Sequence, residues 1–273
     1  MRTRKQADDF VVVGTLRVPS AASPANFRRQ DKTPRDGTRS VPATNRRRRI
    51  LAFVLLLAGG LLCASIKASP ADEPALRLLV EEDFEQGADR WQPTDPAAWK
   101  LAAGRGGQVY AQFQQSKYEP PHRSPFNFSL LEDVTVGDFV LDVKVRSTIA
   151  DYGHRDMCLV FGYRDAAHFY YVHFGKQADE HANQVFIVND APRTKISSRT
   201  TEGTPWDDEW HDARIVRRAA EGTIEVYFDD MEEPAMTATD ATFAEGQIGI
   251  GTFDDTGEFD DLRLRVPTQG DSR

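Results

Sequence analysis

Short runs in which apolar and polar residues alternate recur through the C-terminal two thirds of the chain. In the run DFVLDVKVRS, apolar side chains occupy every second position from Phe139 to Val145, and Asp142, Lys144 and Arg146 occupy positions of the opposite parity. Successive side chains of a strand point to opposite faces, so this spacing predicts a strand with one buried and one polar face. Similar runs are separated by turns rich in Gly, Asp and Thr, and none of them has helical spacing.

About ten to twelve such strands in about 190 residues predict an all-β fold, a two-sheet antiparallel jelly-roll sandwich. We assign the sandwich to residues 77–267, a length that can bury a sizeable core without disulfides. The two cysteines, Cys63 and Cys158, lie in very different contexts, so no disulfide framework is expected. Cys158 falls in a strand and is expected to be a small buried residue.

The chain before the sandwich has a different composition. Residues 1–45 are polar and Arg-rich without apolar periodicity, so we predict that they are disordered. Arg46–Arg49 then precede an uncharged, mostly apolar run over residues 50–66. This order predicts that residues 46–68 are either a cleaved signal peptide or a retained signal anchor. A start codon misplaced upstream of a signal peptide would give the same pattern.

Both alternatives place the sandwich outside the cytoplasm, in the periplasm or the extracellular space. With a retained anchor, residues 50–66 would hold the chain in the inner membrane, although this run is short for a spanning helix. Residues 69–76 are predicted to be a polar linker, and residues 268–273 a tail.

Charge is divided unevenly along the chain. Residues 1–68 hold 14 Lys and Arg against 4 Asp and Glu, whereas residues 69–273 hold 20 against 38. The second part therefore carries a net charge of 20 − 38 = −18, which disfavours binding to nucleic acid. Residues 142–199 depart from this balance with 8 basic and 7 acidic residues, and they contain four of the six histidines.

The stretch from His154 to Asn189 is expected to form three strands, MCLVFGY, HFYYVHF and QVFIV. In the middle strand, Val172 and Phe174 have the character of core residues. Tyr171 and His173 are then expected on the opposite face.

Four longer segments carry a resemblance to a known family. These are DFEQGADRW, GYRDAAHFYYVHF, EWHDARIVR and GQIGIGTFDDTGEFDDLRLR. They resemble the concanavalin A-like lectin/glucanase superfamily, in its laminin-G-like and bacterial 3-keto-disaccharide hydrolase-like branches, over residues 78–266. The resemblance implies a jelly roll. Because that superfamily includes lectins, carbohydrate-binding modules, glycoside hydrolases and polysaccharide lyases, the fold alone does not choose a function.

The preferred functional hypothesis is a carbohydrate-binding groove on one sheet face around Tyr171 and His173. Sugars are held by aromatic faces and by planar polar groups. We expect Cys158, Val160 and Gly162 to form the groove floor because they are small. The predicted ligand-binding residues are Lys144, Arg146, His154, Arg155, Tyr171, His173, Lys176, His181, Asn183, Gln184, Asn189 and Arg193.

Two other classes of function stay open. An enzyme would be a polysaccharide lyase or a 3-keto-glycoside-type hydrolase, with His173, Tyr171 and Arg146 as catalytic residues. The paired-carboxylate motif of laminarinase-type glycosidases is absent, which disfavours that mechanism. The remaining class is a laminin-G-like protein-interaction module.

The tryptophans and the terminal acids complete the set of candidates. Trp91 and Trp210 are expected to pack, whereas Trp206, in a polar loop, is open between packing and ligand contact. Glu82 and Asp83 near the start and Asp260 and Asp261 near the end resemble the acids that hold calcium in many β-sandwich modules. His168 and His173 are five residues apart on one predicted strand, so their side chains point to opposite faces. A zinc site built from the histidines is therefore disfavoured.

Overall fold

The computed structural model describes residues 75–268. Its strands, in chain order, are β1 (Leu76–Glu82), β2 (Trp91–Pro93), β3 (Trp99–Ala103), β4 (Gln108–Gln112), β5 (Asn127–Leu131), β6 (Phe139–Ser147), β7 (Asp156–Asp165), β8 (His168–Gly175), β9 (Gln184–Asn189), β10 (Thr194–Lys195), β11 (Ser197–Thr200), β12 (His211–Arg218), β13 (Thr223–Phe228), β14 (Met236–Thr239), β15 (Gln247–Thr252) and β16 (Gly257–Pro267). The described part also contains one turn of 3₁₀ helix, Pro96–Ala98.

The strands form two antiparallel sheets. The first has nine strands, in the order β11-β14-β13-β12-β6-β16-β4-β3, with β1 also paired to β16. The second has seven, in the order β10-β9-β8-β7-β15-β5-β2. The all-β, two-sheet antiparallel sandwich expected from the sequence is therefore confirmed.

The alternation in β6 determines which of its faces is buried. Phe139, Leu141, Val143 and Val145 are buried, and the residues between them are half-buried. Their side chains join those of β7, β8 and β15 in a core between the sheets, with Val172, Phe174 and Ile250 among its members. Burying apolar area of this kind stabilises the sandwich by about 25 cal/mol per Å² removed from water.

Three of the four tryptophans belong to that core. Trp91 is buried, as expected, and so is Trp99. Trp206 is also buried, and its indole N–H donates to the Phe174 carbonyl at 2.7 Å. This tryptophan therefore packs in the core. Trp210 is only half-buried, with the guanidinium groups of Arg105 and Arg146 at 5.7 and 5.3 Å from its ring.

The chain changes sheets between β6 and β7. The buried Arg155 ties this crossover down by donating to the Ser147 carbonyl at 2.8 Å and to the Asp207 carbonyl at 2.6 Å. Because of this crossover, β6 and β7, which are consecutive in sequence, lie in different layers.

The predicted disordered segment 1–45, the signal or anchor segment 46–68, nearly all of the linker and most of the tail lie outside the described residues. Within residues 75–268, no helix is long and apolar enough to cross a membrane.

Candidate functional site

The outer face of the second sheet, the one turned away from the core, carries Tyr171 and His173, on the side expected from the strand alternation. Both side chains are nevertheless buried, with exposed fractions of 0% and 4%. The prediction of an open groove around these two side chains is therefore wrong. Cys158 and Val160, expected as its floor, are also fully buried, and Gly162 lies at a β-bulge with φ of +58°.

A second apolar cluster explains why this face is covered. Its members are Phe128, Leu130, Cys158, Val160, Phe169, Tyr171, Phe186, Val188 and Phe253, with Tyr118 and Phe126 packed against them. The segment between β4 and β5 crosses the face, and the Phe126 N–H donates to the Phe253 carbonyl at 2.8 Å. So many aromatic side chains on one face favour a covering layer over exposure to water.

Arg193 adds a polar lid to this cluster. Its guanidinium lies 4.9 Å from the Phe186 ring centroid and 4.1 Å from that of Phe253, and Nη1 donates to the Tyr171 hydroxyl at 3.0 Å. Burial raises the pKa of Tyr171 well above its ordinary value, and the Arg193 charge only partly opposes this. A phenol with a raised pKa keeps its proton and does not supply the phenolate that a general base needs, which weakens the catalytic role expected for Tyr171.

One end of the outer face is polar. Asp156 and Cys158 stand two residues apart on β7, and His173 is the cross-strand partner of Cys158. The Nε2 atom of His173 lies 3.5 Å from Asp156 Oδ2, and the Cys158 Sγ lies 3.9 Å from Asp156 Oδ1. In contrast to these two long contacts, Asp156 Oδ1 also accepts a short hydrogen bond from the Phe253 N–H, at 2.7 Å.

Two further carboxylates stand in the turn between β15 and β16, beside Asp156. Asp255 accepts from the Asp156 N–H at 2.8 Å and from the Tyr152 hydroxyl at 2.7 Å. Burial, followed by the negative charge of Asp156, raises the pKa of Asp255 to about 6. The same causes raise the pKa of Asp254, but this residue is exposed, so solvent weakens the effect.

An exposed rim surrounds these acids. Tyr152 is 40% exposed, and its ring centroid lies 6.3 Å from that of His154. Arg123, also exposed, places its guanidinium 5.4 Å from the Phe253 ring centroid. The charges of His173, Arg123 and His154 all act to lower the pKa of Asp254, against the effects of burial and Asp156.

Two of the predicted ligand residues lie elsewhere. Lys144 and Arg146 stand on β6 in the first sheet, where they pair with Asp212 at 2.7 Å and with Glu258 at 2.5 Å. The catalytic trio of His173, Tyr171 and Arg146 is therefore not assembled. The sheet change after β6 is the physical reason, since the prediction treated consecutive strands as neighbours.

Other predicted ligand residues hold the chain in place. Arg155 is occupied in the crossover described above. Asn183 is fully buried, with its amide donating to Thr200 Oγ1 at 3.0 Å and accepting from Thr204 Oγ1 at 2.9 Å. Gln184 is buried opposite His173 and donates to the Asp179 carbonyl at 2.9 Å.

The remaining predicted ligand residues are more open. Lys176 is half-buried and pairs with Asp151, whereas His181 and Asn189 are exposed. Of the ligand residues predicted from the sequence, His154 is the one that lies on the exposed rim. The rim's other members, Tyr152, Arg123 and Asp254, were not predicted from the sequence. The buried Asp156 behind the rim was also missed, although its spacing of two residues from Cys158 was a usable signal that the two share a face.

The acids predicted to bind calcium lie near one another in the fold, because β1 pairs with β16. Glu82 ends β1 and Asp83 follows it, whereas Asp260 and Asp261 lie on β16. Each is engaged by the protein in a different way. Glu82 accepts from the Phe84 N–H at 3.1 Å, Asp83 from the Glu85 N–H at 3.1 Å, and Asp261 pairs with Arg105 at 3.1 Å. Asp260 accepts from the Asp261 N–H at 2.8 Å. Calcium binding here stays a prediction.

A concave surface lies on the outer face of the first sheet. This cavity of about 800 Å³ is lined in part by Val140, Val216, Tyr227, Arg214 and Arg265. Arg214 donates to an Asp142 oxygen at 2.6 Å, and Arg265 also pairs with Asp142. Arg214 and Arg265 thus already have a carboxylate partner.

Comparison with solved structures finds similar sandwiches. The carbohydrate-binding module CBM66 from Bacillus subtilis is 18% identical, with a TM-score of 0.47 over 65% of this chain and 96% of its own. Domain 4 of AbnA, a GH43 extracellular arabinanase from Geobacillus stearothermophilus, is 12% identical, with a TM-score of 0.49 over 70% and 93%. A Bacillus subtilis protein of unknown function with a galectin-like fold is 9% identical, with a TM-score of 0.48 over 72% and 99%.

No protein-family model matches the chain, and no curated protein matches its sequence. At these identities the likeness concerns the fold alone. Residues 75–268 form an all-β sandwich, and the solved structures similar to it include a carbohydrate-binding module and a lectin from Griffonia simplicifolia.

Proposed function

We propose that this protein binds a carbohydrate at the exposed rim formed by Tyr152, His154, Arg123 and Asp254. The observation that carries the proposal is that Tyr152 is both fixed in position and exposed to solvent. Its hydroxyl is fixed on Asp255 at 2.7 Å, yet 40% of the residue remains exposed. A ring held by one end and open to solvent can stack on a sugar at little cost in side-chain entropy.

The neighbouring groups supply what a stacked sugar also needs. The exposed carboxylate of Asp254 accepts hydrogen bonds, the guanidinium of Arg123 donates them, and the imidazole of His154 can do either. A few polar groups converging beside an apolar surface are typical of small-ligand sites. This composition supports recognition of sugar hydroxyls. It does not assign a reaction, because the predicted catalytic trio is dispersed.

The test is a glycan-array screen of the full-length chain, followed by affinity measurements on any glycan that is retained. Tyr152→Ala should weaken binding by about 1–3 kcal/mol if its ring stacks on the sugar, by analogy with other aromatic platforms. Tyr227→Ala is the matched control, since it removes an aromatic side chain from the cavity on the first sheet. Loss of binding in the control, with Tyr152→Ala unaffected, would move the site to that cavity. Failure to retain any glycan would overturn the proposal.

We further propose that the sandwich acts outside the cytoplasm. The support is the order of Arg46–Arg49 and the apolar run over residues 50–66. Cell fractionation with added protease tests it. When only the outer membrane is permeabilised, added protease should degrade an exported sandwich. A cytoplasmic sandwich would survive, and that result would contradict the proposal.

A further inference from the structure

The buried polar group behind the rim consists of one carboxylate, one thiol and one imidazole. Asp156, Cys158 and His173 each offer a ligand atom, and these atoms all lie within 4.8 Å of one another. All three residues are buried. Their closeness follows from strand geometry. Residues two apart on β7 share a face, and the residue opposite Cys158 on β8 shares it too.

The His173 ring is unusual because it lacks a hydrogen-bond partner. Its side chain is only 5% exposed, and its Nδ1 atom forms no hydrogen bond with any residue of the described part. Nε2 points toward Asp156, but the separation of 3.5 Å is beyond the usual range for an N–H···O hydrogen bond. A buried imidazole without a well-formed hydrogen bond is costly. Its Nε2 atom, the nitrogen that faces the Asp156 carboxylate, is available to bind an ion.

The spacing around Asp156 fits a metal ion. Zinc binds nitrogen, oxygen and sulfur at about 2.0–2.3 Å, which puts neighbouring ligands of a tetrahedral site about 3.3–3.8 Å apart. Here His173 Nε2 lies 3.5 Å from Asp156 Oδ2, and Cys158 Sγ lies 3.9 Å from the other carboxylate oxygen, Oδ1. The Phe253 N–H holds the Asp156 carboxylate in place, as outer hydrogen bonds do for carboxylates that ligate metals.

We propose that Asp156, Cys158 and His173 bind a divalent ion of the zinc class. The thiol of Cys158 loses its proton on binding, and the resulting thiolate is the ligand. Asp254 or water completes the coordination, since Asp156, Asp254 and Asp255 also bring ligand atoms within 4.8 Å of one another. An ion at this position joins β7, β8 and the turn after β15. The inference does not depend on sugar binding.

Cobalt in place of zinc gives a direct test, because a thiolate ligand produces a sulfur-to-cobalt charge-transfer band in the near ultraviolet. The full-length chain is stripped of metal by EDTA and then titrated with Co²⁺ and with Zn²⁺. We expect the band to appear, to be displaced by Zn²⁺, and to vanish in Cys158→Ser. His173→Gln should weaken Zn²⁺ binding by at least about tenfold.

Two variants serve as controls. Cys63→Ser removes the other thiol and should keep the band. His168→Gln removes a histidine that already lies between Asp165 and Asp190, at 2.8 and 3.1 Å, and should bind Zn²⁺ as the parent does. A band that survives Cys158→Ser, or one that disappears in Cys63→Ser, would overturn the assignment.

Two measurements on chains that keep Asp156, Cys158 and His173 cover the case in which the buried substitutions disturb folding. X-ray absorption of zinc-loaded Cys63→Ser should find one sulfur in the coordination shell. The melting temperature of the EDTA-treated protein should rise with Zn²⁺ and not with Ca²⁺. An equal rise with Ca²⁺ and no sulfur ligand would favour an all-oxygen site at Asp156, Asp254 and Asp255, and the zinc proposal would be wrong.

Discussion

Arg193 donates from Nη1 to the hydroxyl of Tyr171 at 3.0 Å, and so closes the aromatic cluster on the outer face of the second sheet. The Nε atom of the same guanidinium is buried and has no partner within the described residues. The Tyr171 hydroxyl is therefore an important acceptor for this side chain. The pair anchors the loop after β9 to the face that it covers.

Tyr171→Phe should destabilise the fold by about 1–3 kcal/mol, because it leaves a guanidinium N–H of the half-buried Arg193 without an acceptor. Arg193→Met keeps apolar contact with Phe186 and Phe253 and removes the donor. Equilibrium unfolding in urea of both single variants and the double variant gives the coupling energy. Additive effects would show that the two side chains do not depend on one another.

Trp206→Phe should also lower the free energy of unfolding. It leaves the buried Phe174 carbonyl without the indole N–H and leaves part of the site unfilled, so a loss of about 1–3 kcal/mol is expected. Trp210→Phe is the matched control, since that ring is half-buried on the outside of the first sheet. A larger loss in the control than in Trp206→Phe would contradict the core position of Trp206.

Arg155→Lys should be poorly tolerated although it conserves charge. A lysine cannot reproduce the bonds to the two Ser147 oxygens and the Asp207 carbonyl, so at least about 2 kcal/mol of stability is expected to be lost. The comparison is Arg199→Lys, whose exposed partner is Glu233 at 2.7 Å. That exchange should have almost no effect in urea unfolding. Equal losses of stability in Arg155→Lys and Arg199→Lys would mean that the hydrogen bonds of Arg155 do not stabilise the crossover.

His168 should make stability depend on pH. The hydrogen bond to Asp165, followed by the one to Asp190, raises its pKa above the ordinary value of 6.5. Its folded-state pKa exceeds the unfolded one, so the stabilisation is complete below the unfolded pKa. It is lost as pH rises through the folded pKa.

Unfolding experiments at a series of pH values above 6.5 check this prediction, with His168→Gln as the control. The parent should lose more stability than the variant over that range. An NMR titration should place the pKa of His168 above 6.5, and Asp165→Asn should lower it. A pKa at or below 6.5 in the parent would contradict the expected ion pairs.

The face of each strand could be predicted from the sequence because it follows from covalent geometry alone. Phe139 to Val145 alternate as expected, and Tyr171 and His173 fall on the side opposite Val172 and Phe174. The burial of Cys158 also follows from its place in an apolar strand. These are local properties of the chain, and tertiary contacts did not change them.

The tertiary structure decided which strands are neighbours and which faces are covered. Lys144 and Arg146 lie in a different sheet from Tyr171. The alternation of apolar and polar residues does not reveal where the chain changes sheets. The segment that covers Tyr171 comes from between β4 and β5, distant in sequence from β8. Asp254 and Asp255 meet Asp156 only because β15 pairs with β7. Pairings of this kind depend on the total apolar area that distant segments can bury together, a quantity that no single stretch of sequence contains.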